Sequence, residues 1–86
     1  MKNDIENFKK KLIYRSQYRG TKEMDNLIGS FVKHSIDDLN IDDLFDLESF
    51  LNIDDDSLYK FYSNQENETK IIENKITKLF KNFVLM

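Results

Sequence analysis

Between Thr21 and His34 the apolar residues Met24, Leu27, Ile28, Phe31 and Val32 fall at i, i+3, i+4, i+7 and i+8. That spacing lays them along one broad stripe of an α-helix, whereas a strand would scatter them over both faces. The ends agree with the periodicity. Thr21 is an N-cap residue type, Glu23 and Asp25 stand in the first turn where the helix dipole favours anions, and Lys33 and His34 stand near the end where it favours cations. Such a stripe must be covered by other elements, and no stretch shows sustained alternation with β-branched enrichment. The expected fold class is all-α.

The remaining segments supply the partners. Asn3 and Glu6 resemble a capping pair, and Ile5, Phe8 and Leu12 recur at helical spacing, which predicts a first helix over about residues 4–18 ended by Gly20. Lys9, Lys10 and Lys11 then fall on its exposed side. Gly29 inside the second helix costs on the order of 1 kcal/mol relative to Ala, which points to close approach by another helix there. Ile36-Asp37-Asp38-Leu39 reads as connection. Asn40 caps a helix over about residues 41–51, buried through Leu44, Leu47, Phe50 and Leu51, and Ile53-Asp54-Asp55-Asp56 opens a short one through Leu58, Phe61 and Tyr62. After a polar linker at Ser63-Asn64-Gln65-Glu66-Asn67, Ile72, Ile76, Leu79, Phe80 and Phe83 mark a last helix over about residues 68–83. Short connections favour antiparallel neighbours, so residues 1–86 are expected to form one domain, a compact five-helix bundle.

Size and composition narrow what such a bundle does. A chain of 86 residues buries only about 60–65 % of its unfolded surface, so its stability should be marginal. Seven Phe and four Tyr suffice for one modest core, and the absence of Cys excludes disulfides and thiolate metal sites while fitting a reducing compartment. There is no apolar run near the roughly 18 residues a membrane span needs, and no apolar region follows Lys2, so a soluble, cytoplasmic protein without membrane insertion is expected.

With glycine at positions 20 and 29 alone, neither a dinucleotide fingerprint nor a P-loop can be assembled, and no cofactor bound through a recognisable motif is expected. His34, the one histidine, lacks a matched carboxylate or thiol pattern and reads as a helix-end charge or a partly buried packing residue rather than a catalytic base. Asp38-Leu39-Asn40-Ile41-Asp42 imitates the start of a calcium loop but has Asp43 where glycine is needed and Ser49 where the bidentate glutamate is needed. Asp54, Asp55 and Asp56 are better explained by capping than by a cation. The chain is expected not to be an enzyme and to hold no metal.

The net charge of −3 conceals an asymmetry of +4 over residues 1–34, −9 over 35–66 and +2 over 67–86. Such a distribution can orient a partner. Lys9, Lys10, Lys11, Arg15, Arg19 and Lys22 are interleaved with Phe8, Tyr14 and Tyr18, a pattern that raises nucleic acid as a partner. The acidic middle and a pI near 5.1 argue against it, since the whole domain repels phosphate at long range.

Attention then falls on Tyr14-Arg15-Ser16-Gln17-Tyr18-Arg19-Gly20-Thr21-Lys22-Glu23-Met24-Asp25, where one amphipathic segment ends and the next begins. An Arg19–Glu23 pair at i, i+4 would be worth only a few tenths of a kcal/mol, has the poorer orientation, and is interrupted by a glycine. Local stability thus explains these charges badly, and side chains flanking a turn on a rigid scaffold are well placed for recognition.

This stretch, continued by Leu27-Ile28-Gly29-x-Phe31, resembles the signature of the succinate dehydrogenase assembly factor 2 family, also called FAD assembly factors or flavinators, with Arg19-Gly20-x-x-Glu23 as its motif. The resemblance continues through Leu47-Glu48-x-Phe50-Leu51 and Asp55-x-Ser57-Leu58-Tyr59-x-Phe61, roughly residues 8–62. It implies a small five-helix protein that binds the flavoprotein subunit of succinate dehydrogenase, and often of fumarate reductase, and promotes covalent attachment of FAD to a histidine of that subunit. It also implies that Arg19, Gly20 and Glu23 lie at the partner interface, with Arg15, Lys22 and Asp25 nearby; the free chain is expected to be a monomer. Tyr18 stands where many members carry a second Arg, and Phe61 where many carry Trp, which keeps an aromatic plug. An adaptor for another protein complex and a nucleic-acid-binding helical domain are the alternative readings.

Overall fold

A computed structural model describes residues 2–85, with side chains from Asp4 onward. The described residues form five α-helices: α1 (Lys2–Ser16), α2 (Lys22–Ser35), α3 (Ile41–Leu51), α4 (Asp55–Tyr62) and α5 (Lys75–Asn82), with a 3₁₀ turn at Ile36–Asp38. The all-α expectation holds. The α1 helix packs against α2 and α3, and α5 closes the bundle against α3 and α4. Asn3 lies within α1 rather than ahead of it, and its side chain is outside the described residues.

Three of the helix starts follow from their first residues. Thr21 accepts from the Met24 amide, Asn40 from the Asp43 amide, and Asp54 from the Ser57 amide, each satisfying a donor that the helix itself leaves orphaned. Asp43 returns the favour to the Asn40 N–H, completing a capping box, and its other neighbour is Lys75 Nζ at 2.9 Å. That ion pair ties the start of α5 to the start of α3.

The last helix begins seven residues later than its periodicity predicts. Asn64 adopts φ 58, and the Gln65 amide bonds back to the Lys60 carbonyl at 2.9 Å, so α4 ends in a left-handed cap. Asn67 Nδ2 donates to the Ser57 carbonyl, and Thr69 Oγ1 lies 3.0 Å from Ser57 Oγ, which holds the chain against α4 in an irregular path. Only at Asn74, which forms a capping box with Thr77, does helix resume. Ile72 is consequently 78 % exposed instead of core, and the core-facing residues of α5 are Ile76 and Phe80.

The core is built on aromatic rings. Phe31 of α2 lies 5.2 Å from Phe80 and 5.7 Å from Phe50 between ring centroids, and Phe80 lies 5.1 Å from Tyr62. Leu12, Ile28, Leu44, Leu47 and Leu58 fill the space around them with no exposed surface or nearly none. Each such side chain contributes about 1.5–3 kcal/mol of burial. Phe61 sits half-buried at the edge, with Lys81 Nζ 5.1 Å from its ring centre.

Candidate functional site

Helix α1 stops at Ser16, a buried residue whose hydroxyl bonds back to the Ile13 carbonyl at 2.6 Å. The end of α1 then passes close to α2. An atom placed at the missing Cβ of Gly29 would lie 3.6 Å from the Ser16 carbonyl oxygen and 3.5 Å from Gln17 Cγ, ordinary contact distances, so the end of α1 lies against this point of α2 without requiring glycine there. Gln17 to Thr21 make the connection, with Thr21 capping α2. Asp25, in the first turn of α2, reaches back to accept a hydrogen bond from the Arg19 amide.

Arg19 turns inward. Its Nε donates to Asp55 Oδ1 at 2.7 Å, its Nη1 to the Leu51 carbonyl at 2.6 Å, and its Nη2 to the Ile53 carbonyl. The Arg19 side chain is 9 % exposed and that of Asp55 23 %. A guanidinium here serves two helix ends at once: it satisfies carbonyls at the C-terminus of α3, where the dipole favours a cation, and it pairs with a carboxylate in the first turn of α4, where the dipole favours an anion. The second oxygen of Asp55 accepts from the Gly20 amide at 2.8 Å. Arg15 adds a parallel tie through Nη2 to Asn52 Oδ1 at 2.6 Å.

Gly20 does not end α1, which finishes four residues earlier, and its φ is not positive. The demand on this position is spatial: a Cβ at residue 20 would lie 3.1 Å from Asp55 Oδ2. Nor does Arg19 pair with Glu23. Asp55 and Asp25 occupy it, and Glu23 is exposed with no hydrogen bond or ion pair among the described residues.

The structure thus sorts the six sequence-derived residues. Gly20, Lys22 and Glu23 are exposed along the loop and the first turn of α2, Arg19 is tied inward, Arg15 is tied to Asn52 at the surface, and Asp25 is half-buried. A groove of about 500 Å³ opens beside them, walled by Arg15, Gly20 and Asp54 and by Tyr14 and Tyr18. The two tyrosines are exposed, with ring centres 4.6 Å apart. Asp54 stays ionised on the groove wall, because the Ser57 hydroxyl and then the Ser57 amide hold its carboxyl below the ordinary carboxylate value.

Asp55 is the residue that the linear sequence hid. Three consecutive aspartates read as capping, and Asp54 does cap α4, but the role of its neighbour depends on a contact 36 residues away in sequence. The burial of Arg19 also weakens the nucleic-acid reading, since one of the cations weighed for phosphate contact is committed internally. Among the described residues no group of three or more metal-ligating side chains is gathered, and no helix is long and apolar enough to cross a membrane.

Comparison with known proteins agrees with the motif. The family described as "Flavinator of succinate dehydrogenase" matches residues 10–84. A protein of Acetobacter pasteurianus named FAD assembly factor SdhE is 38 % identical over 50 residues, which are 58 % of this chain and 46 % of that protein. The chain thus aligns with a little under half the length of this curated relative. No solved structure matches.

Proposed function

The chain belongs to the flavinator of succinate dehydrogenase family, and on that footing we propose that it is a non-catalytic assembly factor: it docks on the flavoprotein subunit of succinate dehydrogenase and promotes covalent attachment of FAD there. The FAD belongs to the partner. This chain contributes a rigid surface that favours the partner arrangement in which flavin and acceptor side chain meet, so that acceleration comes from positioning.

The observation that carries this reading is the internal use of Arg19. A guanidinium that is 9 % exposed and holds Asp55, Leu51 and Ile53 leaves the adjoining Gly20, Lys22 and Glu23 exposed as a short ridge, with Gly20 on the wall of an open groove. Order in the free state lowers the entropy lost on docking. Glu23, exposed and uncommitted among the described residues, is the side chain for charge-assisted contact with the partner. Tyr14 and Tyr18 extend the surface with large apolar area.

The test is co-expression of the chain with a succinate dehydrogenase flavoprotein subunit in cells that lack their own assembly factor. The subunit should co-purify with the chain and carry flavin that survives denaturing electrophoresis. Equal protein-bound flavin with and without the chain would overturn the assignment.

A further inference from the structure

We propose that Asp55 is the positioning residue of the Arg19-Gly20 motif, and that its carboxylate, rather than the docking partner, is what restricts position 20 to glycine. The inference rests on the docking reading for its functional consequence and on the free chain alone for its structural one.

Both oxygens of Asp55 are committed to the motif. Oδ1 receives Arg19 Nε at 2.7 Å and Oδ2 receives the Gly20 amide at 2.8 Å, so one carboxylate fixes a side chain and the following backbone together. Its own position is set by α4, whose first turn it occupies and whose start is locked by Asp54 and Ser57. The chain on the other side is equally constrained, because Asp25 holds the Arg19 amide and Thr21 caps α2.

Nothing in the backbone at residue 20 calls for glycine, since φ there is not positive. A Cβ would lie 3.1 Å from Asp55 Oδ2, tighter than ordinary van der Waals contact. The carboxylate can retreat only by lengthening its bond to Arg19 or to the Gly20 amide. Glycine at this position and aspartate at 55 are therefore one device: the absent side chain makes room for the anion, and the anion orders the loop that presents Lys22 and Glu23.

The full chain is tested first without a partner. In Asp55→Asn, which keeps the shape but has one acceptor oxygen, the charged Arg19 Nε takes that oxygen, and the Gly20 amide should exchange with solvent about tenfold faster or more, by nuclear magnetic resonance. Asp56→Asn, the same charge change at an exposed neighbour, should leave it unchanged. Gly20→Ala should lower the urea midpoint of the wild-type chain and have a much smaller effect in an Asp55→Ala background, because the two substitutions share one contact. Unchanged Gly20 exchange in Asp55→Asn, or the same Gly20→Ala loss in both backgrounds, would overturn the proposal. Where Asp55→Ala does not fold, the exchange measurement on Asp55→Asn decides.

With purified flavoprotein subunit and FAD, Asp55→Asn should raise the chain concentration giving half-maximal flavinylation about tenfold and leave the plateau rate near wild type, as expected when a docking surface is disordered rather than removed. A wild-type concentration dependence would overturn the functional half. If Glu23→Ala also docks and flavinylates like wild type, the docking reading itself fails, while the exchange result on Asp55 still stands.

Discussion

Arg19 Nη1 donates to the main-chain carbonyl of Leu51 at 2.6 Å, so a residue of the α1–α2 loop closes the C-terminus of α3 across 32 positions of sequence. A motif read as a partner contact is thereby also a folding contact. Arg19→Ala leaves Asp55 without its cation and two carbonyls without their donor, and should cost about 2–4 kcal/mol of stability. Arg19→Lys keeps the charge but not the fork of donors and should fall between. Urea unfolding of the isolated chain measures both; a stable Arg19→Ala chain would mean that the internal bonds contribute little.

The two glycines should respond in opposite directions. At Gly29 a Cβ would find its nearest neighbours at 3.5 and 3.6 Å, ordinary contact distances. Gly29→Ala therefore gains helix propensity without a clash and should stabilise the chain by up to about 1 kcal/mol. Larger side chains at the same position should destabilise it, because Ser16 and Gln17 leave no further room. Thermal unfolding of Gly29→Ala and Gly29→Leu distinguishes a contact that merely admits glycine from one that requires it.

The link between α3 and α5 is pH-dependent with a definite sign. The Lys75 ammonium, hydrogen-bonded to Asp43, holds that carboxyl below its ordinary value; burial pushes the other way, and the Asn40 amide adds to the lowering. A carboxyl whose folded pKa is depressed binds fewer protons folded than unfolded, so its contribution is fully present above the ordinary aspartate value of about 3.9 and is lost as pH falls through the lower folded value. Asp43→Asn should melt below wild type near neutral pH, and the gap should close in acid as pH falls through the lowered folded value. A gap constant over the whole range would show that Lys75 does not perturb Asp43.

Phe80 joins α5 to the rest of the core through Phe31, Phe50 and Tyr62 and has no exposed surface. Phe80→Ala should cost about 3–5 kcal/mol, a large share of what a chain of this size possesses. Loss of cooperative thermal unfolding by circular dichroism is the expected result.

The helices were legible because their signals are local. Thr21 and Asn40 cap the helices that their residue types announced, and the stripe from Met24 to Val32 is buried. The start of α5 was not legible, because the path of residues 67–74 is set by hydrogen bonds to Ser57 on another helix, and Ile72 mimics a helical period that those bonds override. The motif was legible as a cluster of charges poorly explained by local stability. Its partner inside the chain was not. Glu23 is the near carboxylate in sequence, whereas the one that binds Arg19 is Asp55, brought there because α3 packs on α1 and α4 then starts beside the α1–α2 loop.

Glu23 tests the docking assignment most directly, because it belongs to the motif yet is exposed and takes no part in the Arg19–Asp55 contact. Glu23→Ala should unfold within about 0.5 kcal/mol of wild type, as an exposed substitution does. Covalent flavin on a purified succinate dehydrogenase flavoprotein subunit, followed over time with FAD and either chain, is the decisive measurement. Wild type should accelerate attachment, and the stable Glu23→Ala chain should need about thirtyfold more protein to match it, equivalent to a loss of about 2 kcal/mol in docking. Equal acceleration by the two chains at every concentration would contradict the assignment of the Arg19-Gly20-x-x-Glu23 ridge as the docking site.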